Sequence, residues 1–224
     1  MSRKQIFWCG ILGVTLFASA TLLGGLLSEE YHPFSQLISE TYAMDTQYGP
    51  ALRLLGFVPA GILIFLFAWG SVKHFPKGVL IREGLRGFGV FYGLSTFIAG
   101  VFPCDYGCSL QLLDASVSHQ IHHLAGLVTY IFVPICILIM GVGLRQRKVS
   151  RRLHRTSIGS GLLAIFLSTI FLLGSTTNYA GLFQLLLEIV ILAWICYVAF
   201  FLKDHVPLES SGVTASGSER SNKL

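Results

Sequence analysis

The chain has 224 residues, 53% hydrophobic and only 12% charged. That is about half the charged fraction of a soluble domain, which excludes an ordinary water-soluble globule. Its formal charge of +5 would suit a nucleic-acid binder, but the distribution of the charges along the chain argues against that role.

Several apolar runs approach the roughly 20 residues needed to cross a bilayer. The predicted architecture is all-α: one bundle of six transmembrane helices. Met1 to Gln5 is short and basic, with Arg3 and Lys4. The first span is about 6–27. Ala18-Ser19-Ala20 resembles a signal-peptidase site, but the apolar run continues past it to Leu27, which a cleaved signal does not need.

Residues 28–50 form a polar connection holding Glu29, Glu30, His32, Glu40 and Asp45, without Lys or Arg. Its Tyr31–Glu40 part reads as a short interfacial helix, a plug or a solvated lid, and long loops are often functional. The second span, about 51–71, carries Gly56 and Ala60 as a close-approach pair and Pro59 as a kink. The third, about 87–103, has Gly89 and Gly93 at GxxxG spacing and stops at Pro103. The remaining spans are about 121–144, 156–174 and 181–202. The Ser/Gly-rich segment 204–224 is predicted to be a disordered cytoplasmic tail.

Fifteen of the 16 Lys and Arg residues fall at the N-terminus, in 72–86, in 145–155 and from Lys203 onward. All of these lie on one side of a six-span chain. The positive-inside rule therefore makes both termini cytoplasmic. Membrane lipid is the implied partner, and an inner (plasma) membrane protein with several passes the implied location.

Acids and histidines gather on the opposite side. Phe102 to Gly126 carries Asp105, Asp114, His119, His122 and His123. His119, His122 and His123 stand at i, i+3 and i+4, so they share a helix face, a spacing that suits metal ligation. Asp105 lies at the end of the third span, at similar depth. It could ligate a metal such as zinc, orient a histidine or act with one as acid and base. Solvated or capping histidines are the equal alternative, and the sequence does not decide whether a cofactor is bound.

Glu188 sits about 10 Å inside the last span, where an ionisable group is a functional candidate by default. Gln184 and Asn178 would continue a polar stripe above it. Arg53, the one cation on that side, is expected to pair with Glu188, Asp105 or Asp45. His32 and Ser35 are candidates for a roof over the site. Cys104 and Cys108 flank Asp105 at a spacing that a disulfide can bridge. Haem would need histidines on facing helices, and these cluster on one.

Pro33-Phe34-Ser35, Val101-Phe-Pro-Cys-Asp105 and His119-Gln-Ile-His-His-Leu-Ala-Gly126 together resemble the family called domain of unknown function 998, over about residues 5–203. The resemblance implies six spans in a bacterial or archaeal membrane protein and supplies no reaction. A looser similarity links the His and Asp chemistry to membrane hydrolases of the alkaline ceramidase superfamily. The chain lacks their seventh span and second HxxxH. Two functions stay open. One is a membrane-embedded, metal-assisted hydrolase of a lipid-like substrate, built on Asp105, His119, His122, His123 and Glu188. The other is a transporter, ligand sensor or assembly factor using the same pocket.

Overall fold

A computed structural model of the chain describes residues 1–109, 113–174 and 177–204, so the expected tail beyond 204 lies outside the described residues. The described residues are helical, with turns and no strand. Helix α1 (Arg3–Leu27) starts at a reciprocal cap: Gln5 N–H donates to Ser2 Oγ at 3.2 Å and Ser2 N–H to Gln5 Oε1 at 2.7 Å. A short 3₁₀ turn (Ile38–Tyr42) follows. Next come α2 (Gly49–Leu52), a π turn (Arg53–Phe57) and α3 (Val58–Ser71), continuous as one rod from Gly49 to His74. A second composite rod over 79–101 comprises α4 (Val79–Phe88), a π turn (Gly89–Leu94) and α5 (Ser95–Val101). Helices α6 (Val117–Gln146), α7 (Arg151–Leu173) and α8 (Ala180–Asp204) complete the bundle.

Five of these helical units are long and apolar enough to cross a membrane: Arg3–Leu27, Gly49–His74, Val117–Gln146, Arg151–Leu173 and Ala180–Asp204. The rod over 79–101 begins well before the expected 87. Its first turns are amphipathic: Ile81, Gly84, Leu85 and Phe88 are buried while Arg82 and Glu83 are exposed. Glu83 pairs with Arg82 at 2.6 Å and Arg86 at 3.8 Å, so charges that read as loop decorate a helix face. Likewise Arg151, Arg152 and Arg155 belong to α7, leaving only a tight turn around Lys148 between α6 and α7.

Each rod packs on its neighbour in sequence, and α8 returns to α1, closing the ring. Small residues set the closest crossings. A Cβ on Gly61 would come within 2.6 Å of Gly93 O, and one on Gly93 within 2.7 Å of Phe65 Cα, so the second and third rods touch backbone to backbone. Toward the chain termini the core is solid, filled by Phe67, Phe88, Met140 and Trp194, with Trp194 Nε1 donating to Ser157 Oγ at 3.0 Å. At the opposite end the 28–48 segment folds inward. Ile38, Tyr42 and Ala43 are buried, so this connection is a packed plug rather than a solvated loop.

Candidate functional site

Two polar constellations occupy the plugged end. The first is a knot at the start of α6. Cys104 and Cys108 are disulfide-bonded, with Cα atoms 5.2 Å apart. The enclosed turn uses left-handed backbone at Gly107 (φ 77°) and Cys108 (φ 44°). Asp105 accepts from Ser116 Oγ at 2.6 Å and from Ser116 N–H at 3.0 Å. Ser116 is the N-cap of α6, its Oγ accepting from His119 N–H at 3.1 Å. The Ser116 hydroxyl, then its N–H, hold the Asp105 carboxyl below its ordinary value.

His119 Nδ1 accepts the Asp105 N–H at 3.0 Å. The ring proton therefore sits on Nε2, which donates to Ser109 O at 2.9 Å. The Asp105 carboxylate lies 3.7 Å from the same Nδ1, close but not bonded through a proton. The structure thus brings Asp105 and His119 together in a closed turn in which both ring nitrogens are engaged. Neither residue lines the cavity described below.

His122 faces the other way. Its Nδ1 lies 2.9 Å from Phe102 O and 3.1 Å from Ala99 O. Carbonyls only accept, so Nδ1 carries the proton and serves the end of α5, where helix carbonyls lack intrahelical donors. The His123 ring lies tilted against that of His119, centroids 4.3 Å apart, and its Nε2 is buried without a hydrogen bond. The expected four-residue metal set of Asp105, His119, His122 and His123 does not converge. Among the described residues, the ligand atoms that do gather, within 4.8 Å of one another, belong to Cys104, Cys108 and His122. Both sulfurs are committed to the disulfide, which leaves one free donor type where a divalent ion needs three or more.

The second constellation surrounds Glu188 on α8. Tyr92 Oη donates to Glu188 Oε2 at 2.6 Å and Tyr130 Oη to Oε1 at 3.0 Å. Gln184, one turn away on α8, donates through Nε2 to Tyr130 Oη at 2.8 Å, and its Oε1 accepts the Ile38 N–H of the plug at 2.8 Å. Every polar atom on this line is paired, as burial in a membrane core requires. Both tyrosines stand where the helix backbone is locally irregular. Tyr92 lies in the π turn, which rotates the helix face, and Thr129 Oγ1 serves the neighbouring Phe91 carbonyl at 2.7 Å. Tyr130 stands four residues before Pro134, which has no N–H to bond its carbonyl.

A cavity of about 430 Å³ joins the end marked by His122 and His123 to Glu188. Its walls are mainly apolar and aromatic, among them Phe17, Tyr42, Phe57 and Phe171, with Ser39, Ser95 and Thr96 adding hydroxyls. Leu124 and Leu127 line it and are also exposed on the flank of α6. A Cβ on Gly126 would meet nothing within 4 Å, so this wall faces open space.

Other expected site residues lie elsewhere. Among the described residues Arg53 meets no carboxylate; its guanidinium donates to Tyr42 O at 2.7 Å and Ala43 O at 3.3 Å, fixing the plug. His32 and Asn178 are exposed and Ser35 is half-buried, and none of the three lines the cavity. The roof is instead Leu37 to Ser39 with Tyr42. Tyr42, Tyr92 and Tyr130 were missed by sequence reasoning. The available signal was indirect: a carboxyl inside a span needs donors, and tyrosines on neighbouring spans can supply them.

Fold and site together define a multi-pass helical membrane protein with a buried acid–tyrosine cluster beside a cavity. Residues 11–200 match a family model, and the chain belongs to that family, described as Protein of unknown function (DUF998). No curated protein and no solved structure matches the chain.

Proposed function

We propose that this protein crosses the membrane six times, with both termini cytoplasmic, and takes an amphipathic, lipid-like molecule into the cavity beside Glu188. The observation that carries the reading is a largely apolar space of about 430 Å³ with a few convergent polar groups at its wall, one of them a buried carboxyl. That is the usual composition of a small-molecule site. A carboxyl in a span costs about 3 kcal/mol on insertion scales, so a role beyond packing is the economical account of it. Leu124 and Leu127, exposed on the α6 flank, give an apolar ligand a lateral route from the bilayer. The plug over 28–48, tied to Gln184 through Ile38, covers the end that the proposed orientation makes external.

The test is native mass spectrometry of the protein released from mild detergent. Wild type is expected to retain an amphiphile and Gly126→Trp, which fills the space without backbone clash, to lose it. Identical unliganded masses for both would sink the reading. Turnover of a retained lipid on addition of zinc would replace it with the hydrolase. For orientation, reporter fusions at 75 and 150 should read cytoplasmic and a fusion at 40 external; a reversed pattern overturns it.

A further inference from the structure

Resting on the ligand-binding reading above, we propose that the cavity selects amphiphiles whose polar end carries a positive charge, the class of lipophilic ammonium and phosphonium cations. Three observations converge on this. First, among the described residues Glu188 is the only carboxylate that lines the cavity, and no Lys or Arg lines it. Arg53, expected to pair with Glu188, Asp105 or Asp45, donates instead to the Tyr42 and Ala43 carbonyls.

Second, the groups that hold Glu188 are neutral phenols. They give each carboxylate oxygen one donor but bring no counter-charge, and among the described residues Glu188 has no ion-pair partner. In a low-dielectric site an incoming cation gains far more from such a carboxylate than it would in water, and an anion is repelled by as much.

Third, the cavity is walled by aromatic rings: Phe17, Tyr42, Phe57, Tyr92, Tyr130 and Phe171. They pack against one another around the space, Tyr42 with Phe57 at 4.3 Å and Tyr130 with Phe171 at 4.9 Å between centroids. Ring faces attract cations and are apolar enough to hold the hydrocarbon part of the same molecule. The imidazole of His122, its Nδ1 proton given to carbonyls, adds a further ring to the wall.

The experiment compares two probes of the same shape and opposite charge, tetraphenylphosphonium and tetraphenylborate, with uncharged triphenylphosphine oxide as the third. Binding is measured by equilibrium dialysis against the full chain in phosphatidylcholine nanodiscs, with empty nanodiscs subtracted. Saturable tetraphenylphosphonium binding at one per chain is expected, at least about tenfold tighter than either other probe, and about tenfold weaker in Glu188→Gln. Equal binding of tetraphenylborate overturns the inference using wild type alone, so a poorly folding variant cannot hide the answer. Equal binding of triphenylphosphine oxide overturns charge selection and leaves the ligand-binding reading standing. Unchanged phosphonium binding in a folded Glu188→Gln protein also overturns it. Failure of all three probes overturns it as well; the ligand-binding reading then stands or falls on the Gly126→Trp comparison.

Discussion

The Asp105 knot and the Glu188 cluster are built from similar parts and end in different situations. In the knot, Asp105, Ser116, His119 and Ser109 close on one another, and a disulfide pins the turn. Neither Asp105 nor His119 reaches the cavity. In the cluster, Glu188, Tyr92, Tyr130 and Gln184 are equally well paired, yet they form the wall of an open space. A prominent polar motif is therefore no guide to a site by itself. In the proposed reading, what separates the two regions is whether the paired groups border a volume that another molecule can enter.

Substitutions that break one region and spare the other test this contrast. The largest effect on stability is expected from His119→Ala. It orphans the Asp105 N–H and the Ser109 carbonyl and leaves a void, for a loss of about 2–4 kcal/mol. In a chain of this size that is a fall of roughly 4–16 °C in the thermal midpoint in detergent. Ligand retention by the protein that remains folded should be unchanged; its loss would erase the distinction between the regions.

Next comes the disulfide. Cys104→Ser with Cys108→Ser opens a very short loop, so the expected loss is only about 2 kcal/mol. Full thiol labelling of wild type without reductant would show the bond is not formed, and Asp105 would then depend on Ser116 and His119 alone.

A double-mutant cycle sharpens the boundary. Asp105→Asn and His119→Gln should couple by about 0.5–3 kcal/mol, whereas Asp105→Asn and Glu188→Gln should add within about 0.5 kcal/mol. Strong coupling of the second pair would mean that the two regions form one network.

The smallest effect is that of acid on the knot. The native Asp105 carboxyl is held below its ordinary value of 3.8. A depressed native value means the unfolded chain binds the proton more readily. The contribution of Asp105 is therefore whole above 3.8 and is lost as pH falls through the lower native value. The protection factor of the Ser116 amide, its exchange rate relative to the unstructured amide at the same pH, should fall only in that acid window, and a fall in protection already near neutrality would contradict the assignment.

Much of the fold was legible in the chain. Runs such as 6–27 and 181–202 follow from hydrocarbon content alone, and of the features that carry the family resemblance, Phe-Pro-Cys-Asp lies in the turn after α5 and His-Gln-Ile-His-His in the first turns of α6. Helix ends were less legible. Arg82, Glu83 and Arg151 read as loop because hydropathy averages over a window, while a helix puts its charges on one face and continues.

The sequence by itself determined the class of molecule, the helical character of its spans, the special standing of Glu188 and the spacing that lets Cys104 meet Cys108. These depend on composition or on neighbours a few residues apart. Only the tertiary structure decided which polar groups share a space. Tyr92 and Tyr130 are 96 and 58 residues from Glu188, and Ile38 is 146 from Gln184. Those pairings exist because the ring of helices closes α8 onto α1 and a π turn rotates Tyr92 to face α8, and neither depends on local spacing.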